Sequence, residues 1–184
     1  MLTFGISPGH GGKDKGAMAK DGSLNESEYV IYMARMFKTI VDNLRDPYRV
    51  VLLRDLDDED PTFEERAKRA KAARCDLVLC FHVNSFESEL LRGSNSFYLE
   101  EDLISRDVGS AWLRSVPEPL YTLHRKATLA KPIESDPSTH WLKRPETVLK
   151  KYHCPACLIE FGFLSNPKDK QAPVSYTHLT LPTN

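Results

Sequence analysis

The sequence predicts an α/β fold built on a mainly parallel sheet. Three short runs rich in Val, Leu, Ile and Phe, at residues 2–6, 49–53 and 77–81, indicate buried strands. Two stretches in which apolar residues recur at helical spacing, 26–44 and 62–73, separate these runs. This βαβαβ order favours parallel strands joined by right-handed crossovers.

Two later stretches supply further strand candidates. Residues 93–99 alternate between apolar and polar side chains, and 156–159 form another short apolar run. Ser105 is a candidate cap for a short helix that follows the first of them. The stretch 116–151 holds five prolines and is expected to be mostly loop with one or two short helices, forming a substrate-facing wall.

The composition is that of one ordinary soluble domain. A formal net charge of −1 gives no support to nucleic-acid binding through bulk electrostatics. No apolar run approaches the length that a membrane span requires. The first strand begins at Leu2, which leaves no room for a signal peptide. We therefore expect synthesis in the cytoplasm with another route of export, or a precursor that has lost an upstream piece.

Three of the predicted strands end at side chains that bind metals or transfer protons. The first stops at Pro8-Gly9 and is followed by His10, the third by His82, and the run at 156–159 by Glu160. In open α/β sheets, ligands bind at the carboxyl ends of parallel strands. We therefore expect these three side chains to lie close together.

Glu26 has two interpretations. The segment Ser23-Leu24-Asn25-Glu26 matches a capping box, in which Glu26 only caps the helix that follows. Alternatively, the first turn of that helix presents Glu26 as a metal ligand next to the His10 loop. Periodicity leaves both interpretations open.

His10, Glu26 and His82 can supply two histidines and a carboxylate, an arrangement found in hydrolytic zinc sites with one open position. Zn²⁺ bound there activates a water and polarises a carbonyl group. A carboxylate outside the metal shell then has to carry the proton to the leaving group. Glu160 is the candidate for that role.

Other kinds of site are disfavoured by their patterns. The glycine-rich first loop lacks the phosphate-binding signature, and neither Ser7 nor Ser85 lies in a nucleophile elbow. The Cys154-Pro-Ala-Cys157 pair runs straight into an apolar strand rather than opening a helix, so a redox role is disfavoured. The acidic stretch 55–61 lacks the ligand spacing of a Ca²⁺ loop.

Three cysteines, Cys75, Cys80 and Cys157, are expected to be small buried hydrophobes. His124 and His140 are expected to be surface or loop-packing residues rather than ligands.

The C-terminal end departs from the rest of the chain. Asn166–Lys170 has the composition of a helix start, but Lys and Glu vanish after Lys170 and no amphipathic helix can be drawn. We therefore expect a catalytic domain at 1–170 and a tail at 171–184 that is unstructured or foreign to the domain.

Several separated motifs occur together in this chain: Pro8-Gly9-His10-Gly11-Gly12-Lys13-Asp14, Glu26 at a helix start, Arg54, Glu65-Arg66, Phe81-His82-Val83-Asn84-Ser85, and the stretch 155–166 around Glu160. Their order and spacing resemble those of the zinc-dependent N-acetylmuramoyl-L-alanine amidases from residue 2 to about residue 170.

This resemblance implies a single domain with a mixed, mainly parallel sheet of about six strands flanked by helices. It implies one Zn²⁺ held by His10, Glu26 and His82, with Glu160 as the catalytic acid/base. The substrate would be peptidoglycan, cut between the lactyl group of N-acetylmuramic acid and the L-alanine of the stem peptide. An amidase without an export signal or wall-binding repeat also resembles phage lysis enzymes.

Two other functions remain open. A zinc peptidase or deacetylase acting on another amide would share the same metal chemistry. A non-catalytic wall-binding domain on the same scaffold would be expected to lack at least one of the four functional residues, and all four are present.

Overall fold

The computed structural model of the protein describes residues 1–44, 46–115, 128–129 and 143–176, which form six strands and five helices. The strands are β1 (Leu2–Pro8), β2 (Tyr48–Leu52), β3 (Leu77–Asn84), β4 (Asn95–Tyr98), β5 (Thr128–Leu129) and β6 (Ala156–Phe163). The helices are α1 (Glu26–Asp42), α2 (Phe63–Ala72), α3 (Leu103–Ser115), α4 (Lys143–Leu149) and α5 (Pro167–Tyr176).

The strands form one sheet in the order β2-β1-β3-β6-β4-β5. The pairs β1–β2, β1–β3, β3–β6 and β4–β5 are parallel, whereas β4 runs antiparallel to β6. The predicted mixed, mainly parallel sheet of about six strands is therefore confirmed. Five strands have four or more residues and β5 has only two.

Helices cover both faces of this sheet. On one face, Val30 of α1 and Trp112 of α3 pack with Phe81 and other side chains of the central strands. On the opposite face, Ala70 of α2 and Leu149 of α4 belong to a second apolar cluster. Because both faces are covered, the central strands are apolar along most of their length, which is why the sequence shows them as continuous apolar runs.

The starts of α2 and α3 are both capped, the second by a different residue from the one predicted. Thr62 caps α2 in a capping box, in which the N–H of Glu65 donates to Thr62 Oγ1 at 3.2 Å and the N–H of Thr62 donates to Glu65 Oε2 at 2.7 Å. Ser105 does not cap α3. Asp102 accepts a hydrogen bond from the N–H of Ser105 at 3.0 Å, so Ser105 lies inside the first turn.

Only part of the proline-rich stretch is described. It contains β5 and α4, the latter in agreement with the short helix predicted there. His124 and His140 lie outside the described residues.

The C-terminal helix differs from the expectation. α5 continues to Tyr176, so residues 171–176 are helical rather than unstructured, while 177–184 lie outside the described residues. Asn166 caps this helix, because its Oδ1 accepts from the N–H groups of Lys168 and Asp169 at 3.0 and 3.3 Å. The first turn thus forms through local capping, even though an amphipathic pattern is missing.

Cys75, Cys80 and Cys157 are buried, as predicted. Burial raises the pKa of Cys80 to about 12 and that of Cys154 to about 11. Such thiols are unreactive at neutral pH.

None of the described helices combines the length and the apolar character that a membrane crossing requires.

Candidate metal centre

His10 lies in the loop that follows β1, with a backbone φ of 58°. This left-handed conformation costs a non-glycine residue roughly 1–3 kcal/mol and persists only where the surroundings hold it. The loop is closed by two hydrogen bonds: the N–H of Gly11 donates to Asp14 O at 2.9 Å, and the N–H of Asp14 donates to Gly11 O at 2.8 Å. The Asp14 carboxylate lies 2.8 Å from His10 Nδ1. A carboxylate in this position orients the imidazole.

Glu26 is the first residue of α1 but does not cap it. The cap is Asn25, whose side chain accepts from the N–H of Glu28 at 3.0 Å. The predicted capping box of residues 23–26 is therefore wrong, and the Glu26 side chain, in a residue only 5% exposed, points inward.

The Glu26 carboxylate lies between the two histidines. Its Oε2 lies 3.0 Å from His10 Nε2, and its Oε1 lies 2.9 Å from His82 Nδ1. The backbone N–H groups of Ala17 and Val83 donate to the same two oxygens at 3.0 and 3.2 Å. These four contacts hold both oxygen atoms in place.

Two glycines leave room for this arrangement. A Cβ on Gly9 would lie 2.3 Å from Cε1 of His82, and a Cβ on Gly16 would lie 2.6 Å from both Glu26 Oε2 and His10 Cδ2. Gly16 also has a φ of 64°, which disfavours any side chain there. The backbone of the first loop thus passes close to the His82 ring at Gly9.

The electrostatics of the cluster favour an ionised carboxylate. Burial alone would raise the pKa of Glu26, but the hydrogen bonds and charges of His10 and His82 outweigh it and hold the pKa well below its usual range. Burial likewise opposes protonation of His10, yet Glu26 and then Asp14 outweigh it and raise the pKa of His10 above its usual value.

The residues present fit a zinc ion. The ligand atoms that His10, Glu26 and His82 offer all lie within 4.8 Å of one another. Two imidazole nitrogens and a carboxylate oxygen form a donor set of hydrolytic zinc sites. Because the carboxylate is ionised and the imidazoles face it, a cation can take the place of the protons shared between them.

Glu160 lies beside this cluster on the neighbouring strand. The register of β3 and β6 pairs His82 with Glu160, and parallel partners in register point to the same face of a sheet. Glu160 is 9% exposed. The three ligand atoms within 4.8 Å of one another belong to His10, Glu26 and His82, and Glu160 adjoins this set through its pairing with His82.

A cleft of about 620 Å³ opens in front of the two histidines. Asp14 lines it near the histidines, Phe63 lines it at the start of α2, and Val148 lines it from α4. The wall predicted from the proline-rich stretch is therefore represented among the described residues by α4.

Sequence reasoning assigned no role to two arginines that contact the His10 loop. Arg54 is fully buried and Arg66 is 3% exposed. Arg54 donates to Gly9 O at 3.2 Å, and Arg66 donates to His10 O at 2.7 Å. A signal was present: a loop rich in Gly and Pro leaves carbonyl groups that need donors from elsewhere in the chain.

The sequence of this chain is similar to those of known proteins. A family model described as N-acetylmuramoyl-L-alanine amidase matches residues 5–178. The chain is 24% identical over 215 residues to a probable N-acetylmuramoyl-L-alanine amidase, AmiB, of Haemophilus influenzae, an alignment that covers 96% of this chain and 48% of that protein. It is also 35% identical over 82 residues to an endolysin of Bacillus phage SPP1, covering 44% of this chain and 28% of that one. The chain spans about half the length of the first curated relatives that it matches.

A solved structure shares the fold. The N-acetylmuramoyl-L-alanine amidase AmiC2 of Nostoc punctiforme is similar with a TM-score of 0.75 at 21% identity, over 96% of this chain and 87% of that one.

Proposed function

This chain belongs to the N-acetylmuramoyl-L-alanine amidase family, and on that premise we propose that it hydrolyses the amide bond between N-acetylmuramic acid and L-alanine in peptidoglycan. The observation that carries the proposal is the convergence of His10, Glu26 and His82 within 4.8 Å, at a place where Glu160 follows on the next strand. The convergence of three possible ligands, with a further carboxylate on the adjacent strand, supports a hydrolytic centre.

In this proposal, His10, Glu26 and His82 hold the metal. Zn²⁺ in that position supplies Lewis acidity toward the scissile carbonyl oxygen and toward the attacking water. Asp14, 2.8 Å from His10 Nδ1, orients that ring and keeps its other nitrogen directed at the carboxylate of Glu26. The lowered pKa of Glu26 means that this ligand is ionised at neutral pH without any rearrangement.

Glu160 transfers the proton. As a general base it takes a proton from the attacking water, and as a general acid it delivers that proton to the nitrogen of the departing L-alanine. Its position in register with His82 supports this role, because the carboxylate lies next to the donor set without belonging to it. Its burial limits exchange of the proton with bulk solvent.

The cleft provides the space for substrate. Its volume of about 620 Å³ is within the range of sites that bind small molecules or peptide segments. Both histidines lie on its wall, so a chain laid along the cleft passes the proposed metal position. The match to a phage endolysin supports action on the cell wall.

Product analysis tests the activity. Purified peptidoglycan should be incubated with the zinc-loaded protein and the new chemical groups identified. The proposal predicts that L-alanine amino groups and muramic lactyl carboxyl groups appear in equal amounts, while the glycan chains keep their length. Amino groups on any other stem residue would indicate a peptidase, released acetate would indicate a deacetylase, and new reducing sugar ends would indicate a glycosidase; each of these results contradicts the proposal.

A further inference from the structure

We propose that Arg54 and Arg66 are positioning residues for His10: they hold the carbonyl groups on both sides of its Cα and thereby set the direction in which its imidazole points. The inference rests on the proposed metal role of His10. Neither arginine belongs to the set of His10, Glu26 and His82, although Arg66 also lines the cleft.

The two carbonyl groups define the backbone of His10. The carbonyl of Gly9 belongs to the peptide plane that enters His10, and the carbonyl of His10 belongs to the plane that leaves it. Arg54 Nη2 donates to the first at 3.2 Å, and Arg66 Nη2 donates to the second at 2.7 Å. When both planes are held, φ and ψ of His10 are held as well, and with them the direction of the Cα–Cβ bond.

This matters because the His10 conformation is unfavourable by itself. A φ of 58° is a left-handed conformation that an L-residue with a side chain adopts only under constraint. Without the two donors, the loop would be expected to relax toward a conformation with negative φ. The imidazole would then leave the carboxylate of Glu26.

Arg66 directs most of its donors to the end of β1 and the His10 loop that follows it. Its Nη1 donates to Pro8 O and, at 3.5 Å, to Ser7 Oγ, while its Nε donates to Pro61 O at 2.9 Å. Together with the bond to His10, these contacts occupy four of the five N–H groups of a guanidinium. A lysine ammonium has three donors on a flexible stem and cannot reproduce this planar fork.

Arg54 joins the same loop to the helix that carries Glu26. Its Nη2 also donates to Ser27 O at 3.0 Å, and Ser27 directly follows Glu26 in α1. One guanidinium group therefore contacts both the His10 loop and the first turn of α1. The relative position of two proposed ligands depends on it.

Neither arginine is explained by charge pairing. Among the residues that the structure describes, ion pairs with a carboxylate involve neither Arg54 nor Arg66. Burial is the largest influence on both, and it lowers the pKa of Arg54 to about 10. The charges of Asp57 and Glu59 favour protonated Arg54, and that of Asp60 favours protonated Arg66, but burial outweighs them. Burying a cation without a direct ion pair is costly in free energy. Its presence at both positions is consistent with a requirement for donors at this loop.

The test is zinc affinity, measured with a competing chromophoric chelator on the full chain under conditions in which every variant is folded. Arg54→Lys and Arg66→Lys keep the charge but lose the fork, and each should weaken zinc binding about 10- to 100-fold, as loss of a group that orients a metal ligand does. Arg69→Lys is the matched control. Arg69 is also on α2, but it donates to Leu53 O at 2.9 Å and pairs with Glu59, so its variant should bind zinc within about twofold of the unmodified protein.

A second measurement does not depend on the metal. In the metal-free protein, amide hydrogen exchange at Gly11 and Asp14, whose N–H groups close the loop, should be on the order of tenfold faster in the two lysine variants than in the control. If the unmodified protein binds no zinc, the proposed function fails, and this exchange alone decides the positioning role. Unchanged zinc affinity and unchanged exchange in both lysine variants would overturn the inference. Failure of both variants to fold, with a folded control, would overturn it too, in favour of a purely structural role.

Discussion

Oε1 of Glu26 lies 2.9 Å from Nδ1 of His82, a contact between residues 56 positions apart in the chain. The contact joins the first turn of α1 to the C-terminal part of β3. The Glu26 side chain therefore makes its contacts inside the molecule and does not cap its own helix.

Replacing His82 with Ala should remove stoichiometric zinc. Three protein ligands leave little redundancy, so loss of one is expected to lower occupancy strongly. Zinc content after dialysis, measured by elemental analysis, checks this. His153→Ala is the control, since His153 is exposed and lies outside the cluster. Full zinc occupancy in His82→Ala would refute the ligand assignment.

Glu26→Gln should abolish zinc binding while leaving α1 intact. The amide keeps the size of the side chain but presents no negative charge to the two histidines. The helix should persist because its cap is Asn25, which the substitution leaves in place. Helical content by circular dichroism should match that of the unmodified protein. The matched variant Glu28→Gln changes an exposed carboxylate in the same turn and should keep its zinc. A Glu26→Gln protein that binds zinc normally would show that this carboxylate is not a ligand.

Glu160→Gln should separate catalysis from metal binding. The side chain keeps its shape and can still form hydrogen bonds, but it can no longer accept the proton of water. Turnover should fall about 10²–10⁴-fold, the usual contribution of a general acid–base group, with zinc content and peptidoglycan binding preserved. Glu100→Gln, on an exposed residue after β4, controls for the substitution itself. Loss of zinc in Glu160→Gln would make the residue a ligand, and a fall in turnover of less than about tenfold would assign proton transfer to another group.

As the pH rises above neutrality, the stability of the metal-free protein should decrease and its affinity for zinc should increase. The pKa of His10 is raised above 6.5, so its contribution to the stability of the metal-free protein is complete below about pH 6.5 and is lost as the pH rises through the higher folded value. The pKa of Glu26 is lowered, so its contribution is present above about pH 4.5 and is lost only at strongly acidic pH. Zinc must displace the proton of His10, and its affinity should therefore increase over the same rise in pH.

Urea unfolding of the metal-free protein at pH 6 and pH 8.5, together with zinc titrations at both values, measures these trends. His10→Gln should lose most of the pH dependence between them. A metal-free protein that becomes more stable from pH 6 to pH 8.5 through His10 would contradict the prediction.

Asp169→Ala should destabilise the protein without removing any of the proposed metal ligands. Its Oδ2 accepts from the buried N–H groups of Gly93 at 2.6 Å and Phe163 at 3.1 Å, and Oδ1 pairs with Arg92 at 3.3 Å. Each buried N–H left without an acceptor costs about 1–3 kcal/mol, so the free energy of unfolding should fall by about 2–6 kcal/mol.

Chemical denaturation measures the effect of Asp169→Ala. Asp42→Ala, which breaks an exposed pair with Lys38 on α1, should change the free energy of unfolding by less than about 1 kcal/mol. Equal effects of the two substitutions would show that the contacts of Asp169 contribute little. The contribution of α5 to stability would then come mainly from Asp169 in its first turn.

Several features of this protein follow from short-range patterns. Apolar runs at β1, β3 and β6 identify strands because both faces of the sheet are covered, and Thr62 and Glu65 identify the start of α2 because a capping box is local in sequence. The same reasoning placed His10, His82 and Glu160 just past the ends of three strands. In the structure β3 continues to Asn84 and β6 to Phe163, so His82 and Glu160 lie in the last part of their strands, and the parallel order of β1, β3 and β6 brings these parts together.

Other features depend on contacts between distant residues, which sequence periodicity does not predict. Local pattern alone left Glu26 undecided between a cap and a ligand, and the tertiary structure decided it because Asn25 takes the cap while two distant histidines take the carboxylate. The left-handed backbone of His10 likewise depends on donors from Arg54 and Arg66, which reach the loop from other elements. The order of strands and helices along the chain, and the kinds of side chain near the strand ends, can be predicted from sequence because each is set within a few residues. Which atoms face one another cannot be predicted in this way, because a hydrogen bond between distant residues depends on how whole elements pack.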